Sequence, residues 1–235
     1  MAGFTDLHSH FIYGLDDGAQ TRVDMEAMLD AAYADGITSL FATPHMTPGI
    51  APFDHAVYRA HLEEARQYCW QRGYPMTLLS GAELLYTPAI TPYVRERSLT
   101  TLAGSDHVLL EFTPDIPYRE LMGAVELLDR HGYTTILAHV ERYGCLYQGR
   151  NMEHLRAGYR VACQMNANTI LHRKGFWRRI TIQRWLKDGM IDYVASDAHN
   201  ISTRPFRMAH AYEALCPLVG MAEALRMTSQ DTVGE

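Results

Sequence analysis

The chain has 235 residues, an apolar share of 47% and a formal net charge of −6. That suits one barrel-sized α/β domain with a sizeable core, or less readily two small ones. The acidic balance argues against broad nucleic-acid binding, which needs a basic footprint, although a metal cluster can be locally cationic inside an acidic protein.

Nothing in the sequence reads as a signal peptide, and no run of about 18 apolar residues offers membrane insertion, so the cytoplasm is the expected compartment. The four cysteines, Cys69, Cys145, Cys163 and Cys216, form no C-x-x-C pair and suggest no disulfide framework.

Short apolar runs alternate with helical patterns, which predicts βα units around a parallel sheet. The first run ends at His10. Thr21-Arg22-Val23-Asp24 reads as a capping box; Met25, Met28, Leu29 and Ala32 follow at helical spacing, and Gly36 closes the helix. Ile37 to Thr43 is the second strand, broken by Pro44 and followed at once by His45. A loop over 46–53 leads to a long helix, Asp54 to Arg72, with Val57, Tyr58, Leu62, Ala65 and Cys69 on one face and Gly73 after it. The third strand, about Met76 to Ala82, ends at Glu83, and prolines 88 and 92 mark a loop. The fourth strand, His107 to Leu110, ends at Glu111. A helix over about Tyr118 to His131 is closed by Gly132. The fifth strand, Thr134 to Ala138, ends at His139. After a short helical segment the sixth strand, about Arg160 to Met165, ends near Asn166. A helix over about Trp177 to Asp188 precedes Gly189. The seventh strand, Ile191 to Ala195, ends in Ser196-Asp197-Ala198-His199, and one or two amphipathic helices complete the chain. No repeat, low-complexity segment or linker divides it, so one domain is expected over 1–235.

The chemistry-bearing residues fall in one part of that pattern. In an extended strand, residues two apart share a face, so His8 and His10 project together, half of a four-coordinate site for a borderline divalent ion. The polar turn at Asp16-Asp17-Gly18 could swing Asp17 over the same end. His10, His45, Glu83, Glu111, His139 and Asp197 each sit at or just past the carboxyl end of a predicted strand, the ends that share one rim in a (β/α) barrel. With His8, Asp17 and His199 the set is five imidazoles and four carboxylates. Three divalent cations against four negative charges would leave about plus two, which suits a phosphate dianion better than a neutral substrate. Mixed His and carboxylate donors favour Mn, Fe or Zn over Ca or Mg, and closely spaced metals acidify a shared water and clamp the oxygens of an in-line displacement.

At this point the sequence resembles a known family. His8-Ser9-His10, Gly14-Leu15-Asp16-Asp17-Gly18, Thr43-Pro44-His45, Gly81-Ala82-Glu83, Glu111-Phe112, Ala138-His139-Val140-Glu141-Arg142-Tyr143 and Ser196-Asp197-Ala198-His199-Asn200 are similar to the polymerase and histidinol phosphatase (PHP) superfamily. Within it they look like the bacterial manganese-dependent protein-tyrosine phosphatases of capsule and exopolysaccharide gene clusters. The resemblance runs from residue 4 to about 207. It implies a distorted seven-stranded (β/α) barrel holding three metals, most readily Mn. By position, His8, His10, Glu83 and Asp197 would hold the first; Glu83 would bridge to the second, with Glu111 and His139; Asp17, His45 and His199 would hold the third. Arg142 and Arg204 stand where the family places phosphate-binding arginines, a task suited to the planar guanidinium fork. The implied partner is a phosphotyrosine-bearing bacterial tyrosine kinase. Two positions depart from the family pattern, Ile12-Tyr13 ahead of Gly14 and Met46 after His45; neither is an expected ligand, and both bear on substrate preference.

Other residues carry weaker expectations. Arg173, Lys174, Arg178 and Arg179, beside Phe176 and Trp177, form a basic run that could dock an acidic tail or simply be a solvated helix face. Tyr13, Phe53 and Tyr86 lie in rim loops, either to pack on a phenyl ring or on their own loops. Asn166 is placed to hydrogen-bond within the bowl. His55, His61, His107, His131, His154, His172 and His210 fit no strand end and read as surface or packing residues. A thiol phosphatase is excluded, because the residues six beyond the cysteines are Pro75, Asn151, Thr169 and Ala222, none an arginine. Competing activities are a small-molecule phosphatase such as histidinol phosphatase, a nuclease, or a metal-binding protein without catalysis.

Overall fold

The computed structural model describes residues 3–171 and 175–229. In chain order its elements are β1 (Phe4–Asp6), α1 (Arg22–Ala34), β2 (Ile37–Ala42), β3 (His45–Met46), α2 (His55–Arg72), β4 (Thr77–Ser80), β5 (Glu83–Leu85), α3 (Thr91–Arg95), β6 (His107–Glu111), α4 (Tyr118–Arg130), β7 (Thr134–Leu137), α5 (Asn151–Gly158), β8 (Val161–Asn166), α6 (Ala167–Leu171), α7 (Phe176–Lys187), β9 (Tyr193–Ala195), α8 (Met208–Val219) and α9 (Met221–Ser229).

Every strand pairing is parallel, as the alternating pattern predicts. The strands fall in two sheets, β1-β2-β4 and β3-β5-β6-β7-β8-β9, rather than one continuous sheet. Two strands are each split. The second breaks at Thr43-Pro44 as expected, since proline has no N–H to give to a ladder, and resumes beyond it as the two-residue β3. The third is interrupted at Gly81-Ala82, where Tyr58 supplies the missing partners: its hydroxyl accepts from Gly81 N–H (2.9 Å) and donates towards Ala42 and Gly81 carbonyls. The two sheets touch again where Ser9 bridges Ala198 in parallel.

The first ladder stops at Asp6, short of the expected His10. There the Asp6 carboxylate, fully buried, accepts the backbone N–H groups of Ser196 (3.0 Å) and His8 (3.3 Å), taking the place of a strand partner. Beyond it, Asp197 N–H donates to His8 carbonyl and His10 N–H to Ala198 carbonyl, so the segment stays extended.

The helices follow their start and stop signals. Thr21 and Asp24 exchange the two bonds of a capping box at α1, Asp54 caps α2 through Ala56 and Val57, and Gly73 ends α2 at φ 69. The stretch around prolines 88 and 92, expected as loop, forms a 3₁₀ turn and then α3, because a proline at the first helical turn wastes no hydrogen bond.

Side chains on the strands alternate between two apolar clusters. Leu40, Ala42, Val108 and Leu110 join the larger one, beneath the helices. Phe41, Leu109 and Ile136 join a smaller one, with Leu7, Leu102 and Ala195. Leu109 and Glu111, two apart in β6, share a face, so the small cluster is an apolar floor and the carboxyl ends of the strands stand above it. No helix among the described residues is long and apolar enough to cross a membrane.

Candidate metal centre

All nine of the expected donor side chains converge above that floor. Register explains part of this: His45, which opens β3, is the direct partner of Glu83, which opens β5, and Leu85 next along pairs with Glu111 at the end of β6. His45 Nδ1 lies 3.0 Å from Glu83 Oε2 and 3.7 Å from Glu111 Oε2. From the neighbouring strand end, His139 Nε2 reaches Glu83 Oε1 at 2.8 Å and Glu111 Oε1 at 3.3 Å. From the other sheet, His8 Nε2 and His10 Nε2 lie 3.1 and 3.3 Å from Glu83 Oε2, and 3.5 and 3.6 Å from Asp197 Oδ1. His45 Nε2 and His199 Nε2 are each 3.3 Å from Asp17 Oδ1, the carboxylate on the exposed lip.

Three groups could hold an ion, the donor atoms within each lying within 4.8 Å of one another: His8, His10, Glu83 and Asp197; His45, Glu83 and Glu111; and His10, Asp17, His45 and His199. They share Glu83, His10 and His45, so the three groups form one connected cluster. The group of His8, His10, Glu83 and Asp197 has the membership expected of the first set; His45 stands with Glu83 and Glu111 where His139 was expected, His10 joins Asp17, His45 and His199, and His139 belongs to none of the three groups. Arg142 Nη2 donates to Asp197 Oδ2 at 2.5 Å, and Arg204 Nη2 lies 2.9 Å from Asp197 Oδ1, so both arginines border the cluster.

The donor chemistry fits divalent ions. His8 Nε2 and His10 Nε2 are 3.2 Å apart, while their other nitrogens are committed elsewhere: His8 Nδ1 to Gln164 Oε1 (3.2 Å) and His10 Nδ1 to Asp16 Oδ2 (2.7 Å). Acceptors at Nδ1 place a ring proton there and turn the two Nε2 atoms towards each other across the cluster, where a metal ion or a second proton on His10 relieves the facing lone pairs. His199 repeats the arrangement, with Nδ1 on Asp197 carbonyl (3.0 Å). Its Nε2 and Glu83 Oε2 are buried with no hydrogen-bond partner, as is His139 Nδ1.

A layer of residues behind the donors fixes them. Gln164 was not singled out by the sequence, yet it is fully buried and its Oε1 accepts both His8 Nδ1–H and the backbone N–H of His139 (2.7 Å). Its amide nitrogen donates to Asn166 Oδ1, and Asn166 Nδ2 donates to Asp197 Oδ2 (2.8 Å), so Asn166 does bond within the bowl. Asp16 holds His10 and also accepts the backbone N–H groups of Gly18 and His45. The available signal for Gln164 was a glutamine inside an otherwise buried strand, two before Asn166. His139 (φ 33) and Asp197 (φ 54) both take left-handed backbone conformations, sparsely populated for residues with a Cβ and concentrated where surrounding structure over-determines a functional side chain.

Charge and burial act together here. Burial would raise the Glu83 carboxyl, but His8, His10, His139 and His45 hold it well below the usual carboxylate range. Asp197 is likewise held well below it, against burial, by His8, His10 and Arg142. Burial would lower the imidazoles, but the carboxylates win at three: His10 is raised well above its ordinary value by Asp16, Asp197 and Glu83, His45 is raised by Glu83, and His139 is raised to about 9 by Glu111 and Glu83. His199, buried and facing His10, is pushed down to about 4.

The remaining expectations resolve by packing. Tyr13 stacks on His61 (3.7 Å between centroids), Phe53 packs on His55 and Tyr58, and Tyr86 on Phe112, so ordinary contacts account for all three. His61 and His131 bond backbone carbonyls. Arg173, Lys174 and His172 lie outside the described residues.

A parallel α/β fold with a buried histidine-carboxylate cluster at its strand ends defines a metal-dependent hydrolase-like protein. The model of the family described as "Capsular polysaccharide synthesis, CpsB/CapC" matches residues 4–232, and the chain belongs to that family. Among its relatives, the tyrosine-protein phosphatase CpsB of Streptococcus pneumoniae is 26% identical over 226 residues, covering 93% of this chain and 92% of that protein. The tyrosine-protein phosphatase YwqE of Bacillus subtilis (strain 168) is 28% identical over 210 residues, covering 89% and 82%. Among solved structures, one from a study of Bacillus subtilis YwqE and Streptococcus pneumoniae CpsB, described there as unique metal-dependent tyrosine phosphatases, superposes with a TM-score of 0.85 at 26% identity, over 95% of this chain and 90% of that one. A dihydropyrimidinase from Brevibacillus agri shares the fold alone, at a TM-score of 0.61 and 14% identity, over 97% of this chain and 69% of that one.

Proposed function

We propose that this chain is a metal-dependent protein-tyrosine phosphatase that hydrolyses phosphotyrosine on a bacterial tyrosine kinase controlling capsule or exopolysaccharide synthesis. The observation that carries the reading is the connected cluster of three donor groups with Arg142 and Arg204 on its border. The family supports the phosphatase activity; the kinase as partner rests on the capsule context.

In this reading the chain is one catalytic domain over 1–235. Each split strand counts as one and the fold is a distorted seven-stranded barrel, a reading that the Ser9–Ala198 bridge between the two sheets supports. The cluster would hold three ions, most readily Mn, with Fe or Zn as alternatives. His8, His10, Glu83 and Asp197 would hold the first; Glu83, Glu111 and His139 the second; Asp17, His45 and His199 the third. When bound, such ions supply Lewis-acid charge and acidify a water at neutral pH.

The chain's own residues do the rest. Arg142 and Arg204 take the non-bridging phosphate oxygens and stabilise the charge that spreads over them in the transition state. Each is partly exposed, and each can exchange its bond to Asp197 for a phosphate oxygen. Gln164 and Asp16 hold His8 and His10 in one tautomer. Asn166 keeps Asp197 turned inward. Tyrosyl oxygen leaves as a phenolate, a fairly good leaving group, so no side chain is required as a strong general acid.

The test is turnover of a phosphotyrosine peptide, histidinol phosphate and single-stranded DNA, with and without Mn. We expect Mn-dependent release of phosphate from the peptide, abolished by a chelator and insensitive to thiol alkylation. Cys69, Cys145 and Cys163 are buried, and burial holds all three thiols above their ordinary range. His199→Ala and Glu111→Ala should each lose most aryl-phosphate turnover. Sensitivity to alkylation but not to chelation, or full activity in both variants, would overturn the assignment.

A further inference from the structure

The cluster opens on one side into a cavity of about 710 Å³, far more than the phosphate site needs. Arg142, Arg204 and Asp197 form the inner wall, and the outer wall carries Arg178 and Arg179 of α7 and Arg207 ahead of α8. The lining thus holds five arginines against two carboxylates, Glu141 and Asp197. Both carboxylates are committed. Asp197 belongs to the cluster, and Glu141 Oε1 accepts from Thr169 Oγ1–H (2.8 Å) and Asn166 N–H (3.2 Å). An excess of three positive charges is left.

Other arginines of this acidic protein either pair with a carboxylate, as Arg22, Arg156 and Arg160 do with Glu26, Asp192 and Asp129, or stand apart from one another; the three outer ones line a single cavity. Arg178, Arg179 and Arg207 make no ion pair among the described residues. Arg178 instead lies 5.1 Å over the Tyr147 ring. Arg207 is felt by Asp35, but Asp35 Oδ2 accepts the Met208 backbone N–H (2.5 Å) and forms no pair with it. Three cations lining one cavity with no ion-pair partner among the described residues repel one another, and an anion seated between them relieves that repulsion.

We infer that the outer wall is a second anion subsite, which selects phosphotyrosine segments carrying another anionic group close to the scissile one. This rests on the phosphotyrosine reading above and adds to it the class of sequence preferred. A round cavity of this volume is about 11 Å across, about three residues of extended chain at ~3.4 Å each, so the second anion lies within about three residues of the phosphotyrosine. Side-chain carboxylates and a second phosphotyrosine are the two sources of such a charge.

Three peptides with one scissile phosphotyrosine separate the outcomes: neutral flanks, acidic residues within three positions, and a second phosphotyrosine within three positions. p-Nitrophenyl phosphate, which has no flanks, reports the metal site alone. At low salt the wild-type protein should show a kcat/KM about tenfold or more higher for an anionic peptide than for the neutral one, the size expected of one charge-assisted contact. In the triple variant Arg178→Ala, Arg179→Ala, Arg207→Ala the preference should fall below about twofold, with p-nitrophenyl phosphate turnover unchanged. The matching lysine triple keeps the charge and should retain part of the preference. Preference for the acidic peptide assigns carboxylate flanks; preference for the doubly phosphorylated one alone assigns a second phosphate. Equal rates on all three peptides in the wild type, or equal loss on all three in the alanine triple, would overturn the subsite and leave the phosphatase reading standing. Turnover of p-nitrophenyl phosphate with none of any peptide would remove both.

Discussion

Gln164 touches no candidate ion, yet one of its atoms serves two donors. Its Oε1 fixes the proton of His8 on Nδ1 and accepts the backbone N–H of His139, whose left-handed conformation needs something to hold it. Gln164→Leu removes that acceptor and leaves a buried N–H with no partner. Mn affinity should fall about 10–100-fold, as for other residues that orient ligands, with a stability cost of about 1–3 kcal/mol. Gln164→Glu keeps an oxygen for both donors and loses only the bond to Asn166, so its affinity should lie between the two. Competition against a chromophoric chelator reads the affinity. Wild-type affinity in Gln164→Leu would show that His8 and His139 are oriented by packing alone.

At the scale of elements, the turn after His10 sets where Asp17 stands. Ala19 N–H donates to His10 carbonyl (3.0 Å) and Gly14 N–H to Ala19 carbonyl (2.9 Å), drawing the loop back over the strand end. A Cβ on Gly18 would lie 2.0 Å from His10 carbonyl oxygen and 2.6 Å from His10 Cβ. Neither atom can rotate away, so Gly18→Ala must lift the turn and carry Asp17 from His45 and His199. The expected result is a lower metal content by elemental analysis and a loss of turnover larger than that of Asp17→Ala, which removes one donor without moving the backbone. Gly158→Ala, with open space around it, is the control and should change neither. Had Gly18→Ala full metal content, the turn would not be what positions Asp17. This scale also shows what the sequence could and could not reveal. The strand ends were legible because apolar runs stop at histidines and acids, and the helix ends because Thr21, Asp54 and Gly73 have one local use each. The break at Pro44 was legible too, but the one at Gly81-Ala82 was not, because a strand that hands its hydrogen bonds to the Tyr58 hydroxyl reads the same as one that continues. The basic run at Arg178 and Arg179 was legible, but Gln164 and the meeting of that run with Arg207 at one cavity depend on contacts between segments far apart in the chain, which no local spacing encodes.

For the whole molecule, protons and metal ions compete for the same donors, and the sign of that competition can be worked out. Burial would lower the His139 imidazole, but hydrogen bonds to Glu111 and Glu83 raise it to about 9; His10 and His45 shift the same way. A folded-state value above the unfolded one means that the protonated imidazole favours folding. In the metal-free protein that contribution is complete below about pH 6.5 and is lost as the pH rises through about 9. In the metal-loaded protein that loss is offset, because ions bind the neutral imidazole and each proton displaced strengthens binding by up to about tenfold per pH unit over that window. Bound metal stabilises in proportion to the logarithm of its saturation, so the two curves diverge. The melting temperature with excess Mn minus that with chelator should therefore widen from pH 6.5 to pH 9, with the chelated sample falling over the same range. Glu83 and Asp197, held low, stay ionised throughout and leave this window unchanged. A gap that stayed constant or narrowed as the pH rose would mean that protons are not what the ions displace, and the buried imidazoles would then need another role.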